Sequence, residues 1–215
     1  MWFRIQNLWM VLSFVSLLPL LWLLFDILFN HLGANPVEAV HIRLGDWSLR
    51  FLCLTLAITP LQNLTKWRGM ADYRQMLGLY AFFYATLHVL AYLFMDHAGM
   101  WRVVAVDIIE SAYIWFGVLA YIIILLLAMT TRTYAKKRLG KNWKKLHRFI
   151  YYAAAAAIVH YFWQLKGNLF QPLFYLTIIA FLLGFRVVVW FKNRQLNRLM
   201  LPKGRGLSQE ELDRS

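Results

Sequence analysis

Residues 75–95 read QMLGLYAFFYATLHVLAYLFM, an apolar run interrupted by one ionisable side chain, His88. A helix rises about 1.5 Å per residue, so this stretch covers the roughly 30 Å hydrocarbon core of a bilayer. A histidine inside such a run is costly in lipid, which makes it a candidate functional position. Gly78, Ala81, Ala85 and His88 follow one another at steps of three and four, so small side chains and the imidazole share one helix face. The whole chain has the same character: 61% of its 215 residues are hydrophobic and 15% are charged. An ordinary soluble domain carries about 25% charged residues, and this composition excludes that class.

Apolar runs at 8–29, 47–61, 111–131, 147–163 and 170–191 join the first. Together they predict an all-α integral membrane protein, a bundle of six transmembrane helices. The run at 47–61 is short, contains Arg50, and stops at Thr59-Pro60. The run at 8–29 is too long for the core of a signal peptide and lacks a small-residue cleavage site, so it reads as a retained helix. No internal repeat or low-complexity linker is evident. Residues 1–192 form one transmembrane unit, and 193–215 form a basic tail too short for a second domain.

The formal charge of +13 is explained by topology. Lys and Arg stay on the cytoplasmic side of a membrane. With both termini cytoplasmic, the inner segments hold Arg4, then Lys66, Arg68 and Arg74, then the cluster in 132–148, then a tail that includes Lys192, Lys203, Arg205 and Arg214. The outer loops keep only Arg43, Arg102 and Lys166, alongside Glu38, Asp46, Asp96, Asp107 and Glu110. The basic runs are topology signals and contacts for anionic lipids, and no nucleic-acid partner is expected. Trp47, Trp67, Trp101, Trp143, Trp163 and Trp190 lie near span ends, where an indole keeps its ring apolar and its N–H wet.

Cys53 is the single cysteine, which excludes an intramolecular disulfide, a thiolate zinc site and an iron–sulfur cluster held by this chain alone. The six histidines are therefore the candidate metal ligands. His31, His41 and His97 read as solvated loop residues. His88 lies about 13 residues along the third run and His160 about 13 residues beyond His147, a rise of roughly 20 Å in each case. Both helices run outward, so His88 and His160 are predicted at one depth. Ala153, Ala156, Ala157 and His160 repeat the small-residue face. Two imidazoles at one depth on neighbouring helices suit the axial positions of a haem; packing between helices is the alternative for each alone.

His147 lies at the depth of a second haem, but Arg74 and Gln75 occupy the matching place on the third helix. It is a candidate ligand for a second haem with an unconventional partner, a contact for quinone or flavin, or an interfacial residue. Arg74 and Arg50 could pair with haem propionates or a flavin phosphate at the inner and outer faces respectively, but snorkelling to headgroups is the preferred reading for both. Arg186 is expected to snorkel.

The stretches LGKNWKKLH at 139–147 and HYFW at 160–163, with GANPVE at 33–38, RQMLGL at 74–79 and ATLH at 85–88, resemble the MsrQ family of membrane subunits. That family lies within the ferric-reductase-like transmembrane group, and the resemblance runs from about residue 8 to 192. It implies a six-helix bundle with haem b on histidine pairs, one haem on His88 and His160 and a second if His147 also ligates. FMN is a further implied cofactor. The resemblance also implies electrons from the quinone pool or a cytosolic flavin reductase, and a periplasmic molybdopterin-containing acceptor, MsrP, which repairs methionine sulfoxide in envelope proteins.

The expectation is thus a bacterial inner-membrane electron-transfer subunit, with sulfoxide reduction performed by its partner. No catalytic triad, intramembrane carboxylate pair or phosphate loop can be assembled from the sequence. A proton-coupled transporter with histidine relays, or a non-catalytic assembly protein, are the competing classes; both predict a colourless protein.

Overall fold

A computed structural model describes residues 2–67, 69–164 and 169–200. Arg68, Lys166 and the tail residues Lys203, Arg205 and Arg214 lie outside the described residues. Every element described is helical: α1 (Trp2–Leu28), α2 (Pro36–Thr65), α3 (Met70–Ala91), α4 (Trp101–Glu110), α5 (Ala112–Met129), α6 (Thr133–Leu139), α7 (Lys141–Leu146), α8 (Ile150–Gln164) and α9 (Phe170–Met200). A π-helical turn, Tyr92–Asp96, prolongs α3, and a 3₁₀ turn, His147–Phe149, leads into α8.

Four segments are long and apolar enough to cross a membrane: Leu8–Leu28, Asp72–Asp96, Ala112–Met129 and Phe170–Lys192. They match four of the six expected runs. The other two form α2, which carries several charges, and α8, which is 15 residues long. The α2 helix starts well before residue 47. Asn35 caps it by accepting from the Glu38 amide at 3.3 Å, Pro36 supplies the preset first turn, and Glu38 adds negative charge there. His41 and Arg43, expected in a loop, are therefore helical.

The core is centred where α2 packs on α3, around Leu52, Leu56 and Tyr84, which are almost completely buried. Gly78 faces the Thr55 methyl group, and Ser48 Oγ donates to the Ala81 carbonyl at 3.0 Å. Those members of the small-residue face thus serve α2–α3 packing. Ala153, Ala154 and Ala156 are likewise buried in helix packing. The α1 helix is held through its carbonyls, which accept from the hydroxyls of Tyr80 (Ser13 O, 2.9 Å) and Tyr84 (Ser16 O, 2.8 Å). Arg43 pairs with Asp26 between α2 and α1.

The expectation that Arg50 and Arg186 snorkel is corrected. Arg50 Nε donates to the Tyr175 hydroxyl at 2.8 Å, and its guanidinium lies 4.6 Å from the centre of the Trp47 ring. Trp47 consequently belongs to an internal aromatic group with Phe51 and Tyr84, not to an interfacial belt. Trp101, Trp163 and Trp190 remain exposed, as a belt requires. Arg186 reaches across to α2, where Nη2 donates to the Leu56 carbonyl at 2.7 Å and to Thr59 Oγ1 at 3.0 Å. Pro60 explains this contact: it has no N–H, so the carbonyl four residues earlier loses its helical partner, and the guanidinium of α9 supplies a replacement.

At the outer end, Asp107 collects the Tyr92 hydroxyl at 2.7 Å, Ser111 Oγ at 3.1 Å and His97 Nε2 at 3.2 Å. His97 is therefore a tethered residue and not a free loop imidazole. Burial alone would raise the Asp107 carboxyl, but the hydrogen bonds from Tyr92 and Ser111, with His97, hold it below the usual carboxylate range. A depressed carboxyl contributes stability above its unfolded pKa of about 4 and loses it as the pH falls through its folded value.

Two outcomes are expected. Arg186→Met should lower stability in detergent by about 1–3 kcal/mol, the cost of orphaning a buried carbonyl. In a Pro60→Ala background, where an N–H returns, the loss should be smaller; thermal unfolding of the four proteins checks this cycle. Asp107→Asn should lower the unfolding midpoint at pH 7 and flatten its decline below about pH 4, read from midpoints across a pH series.

Candidate haem site

His88 projects from α3 and His160 from α8, and the bundle brings them together with ring centres 6.3 Å apart and planes at 84°. Their predicted common depth is matched by this contact. Each ring is tethered in the same way. His88 Nδ1 lies 2.9 Å from the His41 carbonyl of α2, and His160 Nδ1 lies 2.9 Å from the Tyr113 carbonyl of α5. A carbonyl only accepts, so each Nδ1 carries the proton and each Nε2 presents a lone pair.

That tautomer is the one a metal needs, with the second nitrogen donating to a carbonyl that orients the ring. A metal–imidazole bond of about 2 Å, plus roughly 1 Å from nitrogen to ring centre, places opposite axial ligands roughly 6 Å apart, centre to centre. The observed separation fits. Among the described residues no group of three or more His, Cys, Asp and Glu side chains converges as a metal site. A porphyrin iron takes only two protein ligands, and this pair supplies two.

The two halves of the site also share a register, which corrects the expectation of no internal repeat. Both hydrogen bonds span 47 residues. One interval relates His41 to Tyr113, Gly45 to Gly117, Ala85 to Ala157 and His88 to His160. The α2–α3 and α5–α8 pairs are thus two versions of one unit, running in the same chain direction. His41, read as a loop residue, belongs to this unit: its ring lies 4.0 Å from that of His88, centre to centre. Asp96 Oδ2 stands 2.9 Å from His41 Nδ1, too poorly aligned for a hydrogen bond.

His147 belongs to a separate group at the start of the turn before α8. Its ring stacks on Trp143 with centres 4.0 Å apart, and Thr130 Oγ1 lies 3.3 Å from its Nε2. The Trp143 indole is fixed by donating to the Thr130 carbonyl at 2.9 Å, and the Lys136 ammonium lies 5.0 Å from its ring centre. Burial, then the positive charges of Arg74 and Lys136, hold the His147 imidazole below its ordinary pKa. Arg74, on α3, is thus among the positive charges that act on the His147 imidazole. His31 lies 3.7 Å from Asp26, apart from both groups.

Comparison with known proteins identifies the family. Residues 44–159 match the family described as ferric reductase like transmembrane component. The chain is 42% identical over 193 residues to the protein-methionine-sulfoxide reductase heme-binding subunit MsrQ of Herminiimonas arsenicoxydans, covering 88% of each chain. It is 44% identical over 156 residues to the MsrQ of Xanthomonas euvesicatoria pv. vesicatoria, covering 73% of this chain and 72% of that one. The MsrQ of Xanthomonas axonopodis pv. citri is 43% identical over 164 residues, at 76% and 75% coverage. With its apolar helices and paired histidines, this chain is a membrane protein that belongs to the MsrQ family of the ferric-reductase-like transmembrane group.

Proposed function

We propose that the chain is a b-type cytochrome of the bacterial inner membrane, passing electrons outward to a periplasmic MsrP-like molybdopterin reductase. The observation that carries this reading is the tethered pair His88 and His160, whose ring centres lie 6.3 Å apart and whose Nδ1 atoms are each held by a backbone carbonyl, so that two imidazoles would be placed to hold one iron. Haem b, when bound, supplies a one-electron carrier in the membrane. The chain's own residues do the rest. His88 and His160 would hold the iron, the His41 and Tyr113 carbonyls fix tautomer and orientation, and the surrounding helices would exclude water and tune the potential.

Six crossings by α1, α2, α3, α5, α8 and α9, with both termini cytoplasmic, are the topology that suits this role. The charges of α2 do not oppose a crossing, because Arg50 is met by Tyr175 of α9. At about 22 Å, α8 is short for a bilayer and is accommodated by local thinning. The basic α6 and α7 then face the cytoplasm and its anionic lipids. Residues 1–192 act as the haem-binding unit and 193–215 as a basic cytoplasmic tail.

We assign His147 and Arg74 to a second cofactor station at the cytoplasmic end. Stacking by Trp143 and the positive charge of Arg74 and Lys136 suit an anionic ring system, FMN or the propionate side of a second haem. A second iron on His147 Nε2 requires the Thr130 contact to open, whereas FMN does not. On the donor side, a groove of about 590 Å³ between α1 and α3 offers a lipid-soluble quinol a place beside the bundle; its lining includes Trp9, Asp72, Gln75 and Tyr80. A cytosolic flavin reductase would meet the basic helices instead. Sulfoxide chemistry stays with the partner.

Purified protein should show a b-type spectrum that sharpens on dithionite reduction, and His88→Ala or His160→Ala should each abolish it. Retention of full haem with unchanged spectra in both variants would refute the ligand assignment. His147→Ala should leave the first haem intact, and a pyridine haemochrome count with flavin fluorescence identifies what that variant loses.

A further inference from the structure

We propose that Gly45 and Gly117 are equivalent positioning residues that fix the planes of His88 and His160, and thereby the electronic character of the haem. The proposal rests on the haem reading above. Each glycine lies one helical turn after the residue whose carbonyl accepts from the ligand, Gly45 after His41 and Gly117 after Tyr113. A Cβ at Gly45 would stand 3.0 Å from His88 Cε1 and 3.1 Å from Nδ1. One at Gly117 would stand 2.8 Å from His160 Nδ1 and 2.9 Å from Cε1. Real Cβ atoms essentially never approach within 3.0 Å, so any other residue at Gly117 must displace the His160 imidazole, whereas at Gly45 the contact is tight enough that the His88 imidazole must give by a few tenths of an ångström.

Neither glycine is there for backbone freedom. Among the described residues the positive-φ glycines are Gly33, Gly99 and Gly140, whereas Gly45 and Gly117 sit inside α2 and α5. Glycine in a helix interior costs about 1 kcal/mol relative to alanine, so its place here is explained by the ring it touches. The hydrogen bond from Nδ1 holds one edge of the imidazole but leaves rotation about Cβ–Cγ, a broad torsion, only partly limited. The glycine surface limits it further, and an aromatic residue packs on each ligand: His41 at 4.0 Å from His88 and Tyr113 at 5.7 Å from His160, centre to centre.

The consequence lies in the ligand field. Two imidazoles holding one iron with planes near 84° would leave its dxz and dyz orbitals almost degenerate, whereas parallel planes would split that pair. Ferric low-spin haem of the first kind gives an EPR spectrum dominated by one feature at high g; the second gives a rhombic three-line spectrum. Because the contacts at Gly117 are tighter, Gly117→Ala should perturb more than Gly45→Ala.

The test uses the full-length holoprotein in detergent, with haem per chain, ferric EPR and redox titration as readouts. Wild type should show the high-g feature. Gly117→Ala should move it toward lower g and shift the midpoint potential, or lose haem with helicity retained; Gly45→Ala should do the same to a smaller extent. Gly184→Ala, where a methyl group meets nothing within 4 Å, should leave both readouts unchanged. A rhombic wild-type spectrum overturns the proposal whatever the variants do. So do haem-loaded Gly45→Ala and Gly117→Ala proteins with the wild-type spectrum and potential, while the haem reading stands. A wild type that binds no haem defeats the haem reading itself.

Discussion

A polar group inside a bilayer has no water to fall back on, so a backbone carbonyl that loses its helical partner, or a side chain that carries a proton, must be met by another helix. This constraint organises the bundle. Tyr80 and Tyr84 attach α1 through its carbonyls, Arg186 attaches α9 to the carbonyl that Pro60 sets free, and His88 and His160 attach α3 and α8 to carbonyls of α2 and α5. In each case a side chain on one helix donates to the main chain of another. Such bonds survive side-chain drift in the acceptor residue, because the acceptor is the backbone.

The same bonds prepare the candidate ligands. An imidazole anchored through Nδ1 has one tautomer and a narrow range of orientations, so the metal-facing nitrogen is defined before any metal arrives. What holds the helices together and what would bind the iron are the same side chains, used at opposite edges of one ring. His147 shows the contrast. Its Nε2 is already near Thr130 and its face is covered by Trp143, an environment suited to stacking and charge more than to a bare metal bond.

Much of this was legible in the sequence. Long apolar runs predict the spans because only a helix satisfies its own backbone in lipid, and the matched positions of His88 and His160 follow from a constant rise per residue. Arg50 and Arg186 were misjudged for a physical reason: hydropathy records that a charge is costly in lipid but not whether a neighbouring helix offers a partner. Trp47 was placed at an interface by the same blindness. His41 and Gly45 carried no local signal, since one contributes its carbonyl and the other its lack of a side chain. The repeat was hidden because its two copies share only scattered positions, such as Ile42 with Ile114 and Gly45 with Gly117, that acquire meaning once the hydrogen bonds are seen to span equal lengths.

On the proposed assignment each copy of the repeated unit brings one ligand, so neither could hold the iron alone, and the pairs α2–α3 and α5–α8 pack more closely within themselves than against each other. A cofactor that binds only the joined form stabilises it by mass action. Haem supply would then govern how firmly the two copies stay joined in the membrane.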